Sequence, residues 1–583
     1  MRNFFCENGH FAEGGKSLDK AFRIWYNHIA SLFAPKNFRK EKHLFAITAD
    51  PFANKGKQKM KNIWLRIISL MLVSLMLVFA VACTTPETPQ GGNETTAAPG
   101  GTTGENGETQ APGGDGTTGS GGGNVTTKPA ESTAKIDVPE GLNYQNEVTV
   151  LFWEDVEMPE FEQAEPSING VLNAIYKRNE NTKKHLGLTK LSWVGVKGNH
   201  GQKEEFTEHV GNSYIAGDRK YDIIATYSRT AGHCAIEGYL YDLESIEDSY
   251  IDLSKPWWPQ SLIDTVTIDD AIYFLSGDIS TNTLHMMYAI FCNTDMITEL
   301  TLDDPVDMAI NMEWTLPEFM RLCEGVFTEQ NGDDKPSVGD RYGFITEQLH
   351  IDAFYQGGGF NLIEADVDDV LVISKDFSSS KLNQMITDLK EFRFSPDVMI
   401  GSSEAQFVDE NALFTQNRMY LAERKLKDVE FKYACLPTPM LDTKQGEYRT
   451  CVGNPFTLWG IMRDVDLDGD EMLVECSAAL ECLAGYANYY TTPQIFEVNM
   501  KVKYSDIDKP ETVQCFDLIR EGVVYDLGRI FPNTEMGGLY MVDLFSKTIS
   551  GGLEWSTERK ANMTLLLSSL KQIVKKFEKH ANH

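Results

Sequence analysis

The sequence has no basic surplus. Its 53 Lys and Arg face 85 Asp and Glu, a formal charge of −32. Residues 1–59 carry eleven basic and five acidic side chains, and Lys61 and Arg66 add two more positive charges, so the remainder stands near −40. That surface repels phosphate instead of displacing its counterions, which excludes nucleic acid as a partner. Acidity of this size is a solubility feature. No zinc pattern exists either. Cys234, Cys292, Cys323, Cys435, Cys451, Cys476, Cys482 and Cys515 include no Cys-x-x-Cys pair and no suitable Cys/His spacing. Their even number permits disulfides in an oxidising compartment, but no pairing can be assigned. Cys292, in YAIFCN, reads as a small buried hydrophobe. The run Gly357-Gly358-Gly359 lacks the Gly-Lys-Ser/Thr of a phosphate loop. No internal repeat is evident.

What is present begins with Met60 to Cys83, MKNIWLRIISLMLVSLMLVFAVAC. Lys61 and Arg66 form a short basic region before the apolar stretch Ile67 to Ala82, and Ala80-Val81-Ala82 precedes Cys83. This is the layout of an export signal. It resembles the lipobox of bacterial lipoproteins, although Ala80 stands where leucine is more usual. The resemblance implies lipidation of Cys83 and a membrane anchor through acyl chains, with two or more chains giving stable attachment. The apolar stretch is shorter than the roughly 20 residues of a membrane span; a simple transmembrane helix is the alternative. Residues 1–59 lie upstream of a complete signal and read as translation from a misplaced start codon. Residues 84–135 are Gly, Thr, Pro and Ser with almost no apolar side chain, a composition that stays a flexible tether. The domain beyond it, residues 136–583, is therefore expected outside the cell or in a periplasm.

That domain exceeds what one core usually supports, so two lobes are expected. Strands are predicted at Glu147–Trp153, Thr189–Val196, Tyr221–Tyr227, Ala271–Leu275 and Met287–Cys292, with helices at 170–186 and 202–216 between the first three. Alternating strands and helices imply an α/β fold with mostly parallel sheets. From Thr315 onward the pattern is more helical: 316–327, 382–392, 470–486, 510–521 and 561–577.

Several segments, in order, resemble the extracellular solute-binding proteins of ABC transporters, in their carbohydrate-binding branch. They are YDIIATYSRTAGHCAIEGYLYDLESI, MMYAIFCNTDMITEL, EWTLPEFMRLCEGV, FTQNRMYLAE and GRIFPNTEMGGLYMVDLF. The resemblance implies a two-lobed periplasmic-binding-protein-like fold of type II, its sheets joined by hinge strands near Tyr288–Asn293 and Phe431–Pro437. One lobe would take residues 140–290 and 431–490, the other 291–430 and 491–583. It implies a monomer that captures a carbohydrate, in particular an oligosaccharide, for an ABC permease without chemistry. A peptide or other polar solute is the nearer alternative; a secreted glycoside hydrolase using Glu154 and Asp278 is the more distant one.

A sugar offers C–H faces to aromatic rings and hydroxyls to fixed donors and acceptors. Candidates for such a site are Trp153, Glu154 and Asp155 after the first strand, Tyr227, Ser228 and Arg229 after the third, and Asp278 beside Gly277. By resemblance Tyr355 and Tyr540 join them. Trp153 could equally be core, and Arg229 an ion-pair partner. Trp257-Trp258 reads as packing rather than stacking. Asp464, Asp466, Asp468, Asp470 and Glu475 fit the calcium loop D-x-D-x-D-G-x5-E around Gly469. An acidic helix start, favoured by the helix dipole, is the competing reading, so calcium is a possible ligand and no other cofactor is implied.

The anchor is testable: the mature protein should begin at an acylated Cys83 by mass spectrometry, and Cys83→Ser should release it from membranes. An unmodified Cys83 would remove the anchor.

Overall fold

The computed structural model describes residues 134–367, 370–503, 508–531 and 541–581. The signal, most of the tether and Tyr540 lie outside them. Two sheets organise the described part. In the first, β1 (Glu147–Trp153) pairs in parallel with β2 (Lys190–Val196) and β3 (Ile223–Tyr227), with Val150 opposite both Trp193 and Ile223. The connections are α1 (Gly170–Leu186) and α2 (Lys203–Ala216). Asn169 caps α1, its side chain accepting from the amides of Val171 and Leu172, and Gly187 closes it at φ 63°. After β3 the chain turns directly into α3 (Ser228–Ile236).

The second sheet holds β4 (Tyr288–Asn293), β5 (Tyr342–Thr346), β6 (Val398–Ile400), β7 (Ala412–Arg418) and β8 (Tyr433–Leu436), in the order β8-β4-β7-β5-β6. Here β5 is parallel to both β6 and β7, while β4 runs antiparallel to β7 and β8. The chain then returns to the first sheet as β9 (Thr457–Ile461), antiparallel to β3, with Thr457 opposite Tyr227. The class is α/β as expected, but each sheet carries antiparallel pairs.

Three expectations are corrected. Ala271–Leu275 is not a strand; it runs beside β9 with a single bridge, Leu275 to Trp459. The stretch 431–437 does not re-enter the first lobe, because Tyr433–Leu436 satisfies its backbone on the open edge of β4. The re-entry is at 452–457, where Val452 bridges Met287 and the Gly453 amide donates to the Met286 carbonyl at 2.8 Å. Nor does the C-terminal stretch belong to the second lobe alone. The helix Trp555–Ala581 packs Trp555 against Phe377, yet Phe577 lies on Tyr273 and His580 bonds the Ile236 carbonyl at the end of α3. Its amphipathic stripe thus joins the apolar cores of both sheets.

All eight cysteines after Cys83 are buried free thiols. Among the described residues no helix is long and apolar enough to cross a membrane. Helix α4 (Asp470–Tyr489) lies on α1 and supplies Glu481 to the tryptophan pair. The Trp257 and Trp258 indole N–H groups donate to its two carboxylate oxygens at 3.1 and 2.9 Å. Both rings are buried, so their role is packing.

Burial pushes the Glu481 carboxyl from 4.5 up to about 7 against those hydrogen bonds. The folded state therefore holds this proton more tightly than the unfolded chain, and stability falls as pH rises from 4.5 towards 7. Thermal melts across that range should show a shallower slope for Glu481→Gln than for the parent; parallel slopes would remove Glu481 as a contributor.

Candidate ligand cleft

Because β1 and β3 are parallel, their carboxyl ends leave the first sheet on one edge, the edge where open α/β sheets bind ligands. β1 ends in alternation: Phe152 packs on Phe161 and Trp193, whereas Trp153 turns to the opposite face. There Trp153 is fully buried, its indole donates to the Thr457 hydroxyl at 2.9 Å, and its ring meets Tyr227 edge-on at 5.6 Å. It is core and presents no exposed face. Glu154 is exposed. Asp155 uses one oxygen to accept from the amides of Gly198 and Asn199, so it fixes the neighbouring turn.

A further candidate carboxyl in this stretch is Glu157, which sequence reasoning missed. The following backbone is pinned: Arg178, fully buried, donates to the carbonyls of Glu160 and Phe161, and the Glu160 carboxylate accepts from Asn282 at 2.8 and 2.9 Å. Glu157 is half-buried with an unpartnered Oε2. Burial raises its carboxyl above the usual range, opposed by the Arg418 and Arg424 guanidiniums. Tyr227, Ser228 and Arg229 are all buried at the end of β3. Ser228 donates to the Asn454 carbonyl at 2.7 Å and so ties β3 to the returning chain. Burial also raises the Tyr227 hydroxyl, within the fields of Arg229, Arg529, Glu157 and Arg418.

Those arginines come from different segments. Arg418 ends β7 opposite Tyr288. Its guanidinium stacks 4.7 Å from the Tyr420 ring and approaches the Met286 sulfur at 3.3 Å, while Nε is buried without a partner. Gly453 makes room for it, since a Cβ there would stand 2.7 Å from Arg418 Cδ. Arg529, in the short helix Leu527–Ile530, donates to Asp352 at 2.6 Å. The other Asp352 oxygen, Arg529 Nε, both polar atoms of the Gln356 side chain and Gln416 Oε1 are buried and unpartnered. Tyr288 and His350 share a hydrogen bond of 3.1 Å. Burial and the Arg418 charge lower His350 to about 3, and burial lowers His285 to about 4, so both rings are neutral at pH 7.

Buried polar atoms without partners are few in folded proteins and each costs free energy. They occur throughout the described residues, and those of Glu157, Asp352, Gln356, Gln416, Arg418 and Arg529 combine carboxyl, amide and guanidinium. That set suits an uncharged, hydroxyl-rich molecule.

The structure does not place the other candidates here. Asp278 is engaged by Arg520 at 3.3 Å and Asn488 at 2.6 Å, and its neighbour Gly277 (φ 151°) accommodates the Trp257 carbonyl, 2.1 Å from where a Cβ would lie. Tyr355 is core, packed on Phe360 and Phe545. The calcium-like loop folds as a short helix, Arg463–Asp468, directly followed by α4. Its winding turns Asp464 and Glu475 inward and Asp466 and Asp470 to solvent. Among the described residues, which omit the Asp468 side chain, no three His, Cys, Asp or Glu could hold a metal ion.

No protein-family model and no curated protein matches this sequence. Solved structures do. A sugar transporter of Rhizobium etli in an open conformation aligns with a TM-score of 0.47 at 11% identity, over 74% of this chain and 99% of that one. The cyclic α-maltosyl-1,6-maltose binding protein of Arthrobacter globiformis aligns with 0.47 at 12% identity, over 73% and 99%. An ABC substrate-binding protein of Listeria monocytogenes, in complex with cycloalternan, gives 0.43 at 14%, over 75% and 99%.

Trp153 and Glu157 should separate core from site in urea melts. Trp153→Ala is expected to cost about 3–5 kcal/mol, whereas Glu157→Gln should leave stability unchanged or slightly raised, since it removes a poorly solvated charge.

Proposed function

We propose that this chain is a lipid-anchored extracellular solute-binding protein that takes an oligosaccharide into the cleft between its two sheets and delivers it unchanged to an ABC importer. The observation that carries this reading is that Glu157, Gln356, Gln416 and Arg418 each keep a buried polar atom without a hydrogen-bond partner. Vicinal hydroxyls both donate and accept, so a sugar satisfies Glu157, Gln356, Arg418 and Gln416 together. The neutral histidines and the tyrosine rings add no net charge to be matched. Two crossings lying side by side, at 287 and 452, form a natural hinge about which the halves close.

A hydrolase working through Glu154 and Asp278 finds no support. One carboxylate faces water and the other is bound by Arg520 and Asn488. The anchor and tether rest on residues 60–135, and they place the cleft within reach of a permease.

Calorimetry with a panel of oligosaccharides and peptides tests the reading. An oligosaccharide should bind and be recovered intact by chromatography. Arg418→Ala and Glu157→Gln should each weaken that binding by about ten- to a hundredfold, the scale of a hydrogen bond to a charged group, with little change in melting temperature. Binding of peptides alone, or the accumulation of shortened sugars, would overturn it.

A further inference from the structure

The opposite edge of the first sheet carries a second hollow, of about 1120 Å³. It lies at the amino-terminal end of β1, between the turn that precedes β3 and the start of α4. Among its described lining residues there are eight carboxylates, and Arg219 is the one cationic side chain.

Most of this acidity has a local explanation. Asp470 and Glu471 sit in the first turn of α4, where the helix dipole favours them. Glu147 is paired with Lys190 and Ser192. Asp218 accepts from Ser213, and Asp222 from the Thr149 amide. Glu475 is different. It lines the hollow, is 1% exposed, and gives one oxygen to Asn146 at 2.8 Å while Oε1 has no partner. Behind the wall, Asp464 is 3% exposed with both oxygens unpartnered. Burial holds the carboxyls of Asp222, Asp464 and Glu475 above their usual range; the Arg219 guanidinium, 3.6 Å from Asp222, opposes this at Asp222 and Asp464, whereas at Glu475 the opposition comes from the Asn146 hydrogen bond.

We infer that this hollow binds a linear organic polycation of the polyamine class. A point charge does not fit, since no three acidic side chains among the described residues converge to hold a metal. Instead the hollow's carboxylates come from separate segments, at 147, 218–222, 247–248 and 470–475. Ammonium groups spaced by methylenes match that arrangement, and Tyr144 in the wall offers a ring to the chain between them. The site is independent of the cleft.

The test is calorimetry on the full chain in detergent, at fixed ionic strength, with spermidine, putrescine, calcium chloride and sodium chloride. Spermidine should bind saturably, at one per chain and more tightly than calcium. Glu475→Gln should weaken it tenfold or more. The exposed rim pair Glu247→Gln/Asp248→Asn, whose side chains face solvent, should weaken it about threefold, and this variant serves if Glu475→Gln fails to fold. Oligosaccharide affinity should be unchanged in both. Absence of saturable spermidine binding, tighter binding of calcium, or equal spermidine affinity in the parent and in each variant that folds would overturn the inference.

Discussion

The contact on which the rest depends is a short piece of backbone pairing between two segments that cross from one sheet to the other. Val452 bridges Met287, and the Gly453 amide reaches the Met286 carbonyl. One crossing leads into β4 and the other into β9. Holding them side by side fixes Tyr227 opposite Thr457 in one sheet and Tyr288 opposite Arg418 in the other. The polar groups at these strand ends can therefore confront each other. A glycine at 453 is required because the Arg418 stem occupies the space a side chain would fill.

The two sides of this junction are stabilised differently. Beneath it, Trp153, Tyr227 and Thr457 form a packed layer in which the indole N–H is satisfied. Above it, Glu157, Gln356, Gln416 and Arg418 keep polar atoms buried and unmatched. A fold selected for stability alone would replace such groups with apolar ones. Their cost is carried by the surrounding core, including the C-terminal helix that packs on both halves. Rigid support below and unmet hydrogen-bonding capacity above are what a binding site requires.

Much of the framework was legible in the chain. The helix expected at 170–186 is α1, Gly170–Leu186. EVTVLFW reads as a buried strand, and it is one. The site was legible only in part. Tyr227, Ser228 and Arg229 are legible as a strand end because the strand and the helix after it are. Glu157 and Arg418 carried no local signal: one lies in an irregular loop, the other in a polar strand end, and 261 positions separate them. Trp153 was misassigned because its position names the strand end but not the face, and Tyr355 because likeness of order says nothing about what packs on a ring.

The sequence by itself determined the local elements and the acidic surface, since these follow from composition and periodicity within a few residues. Tertiary structure alone decided which strand edges closed the sheets, where the chain crossed between them, and which carboxylates were left buried without partners. Those outcomes depend on contacts between residues hundreds of positions apart, and no local pattern encodes which distant group will fill, or fail to fill, a buried hydrogen bond.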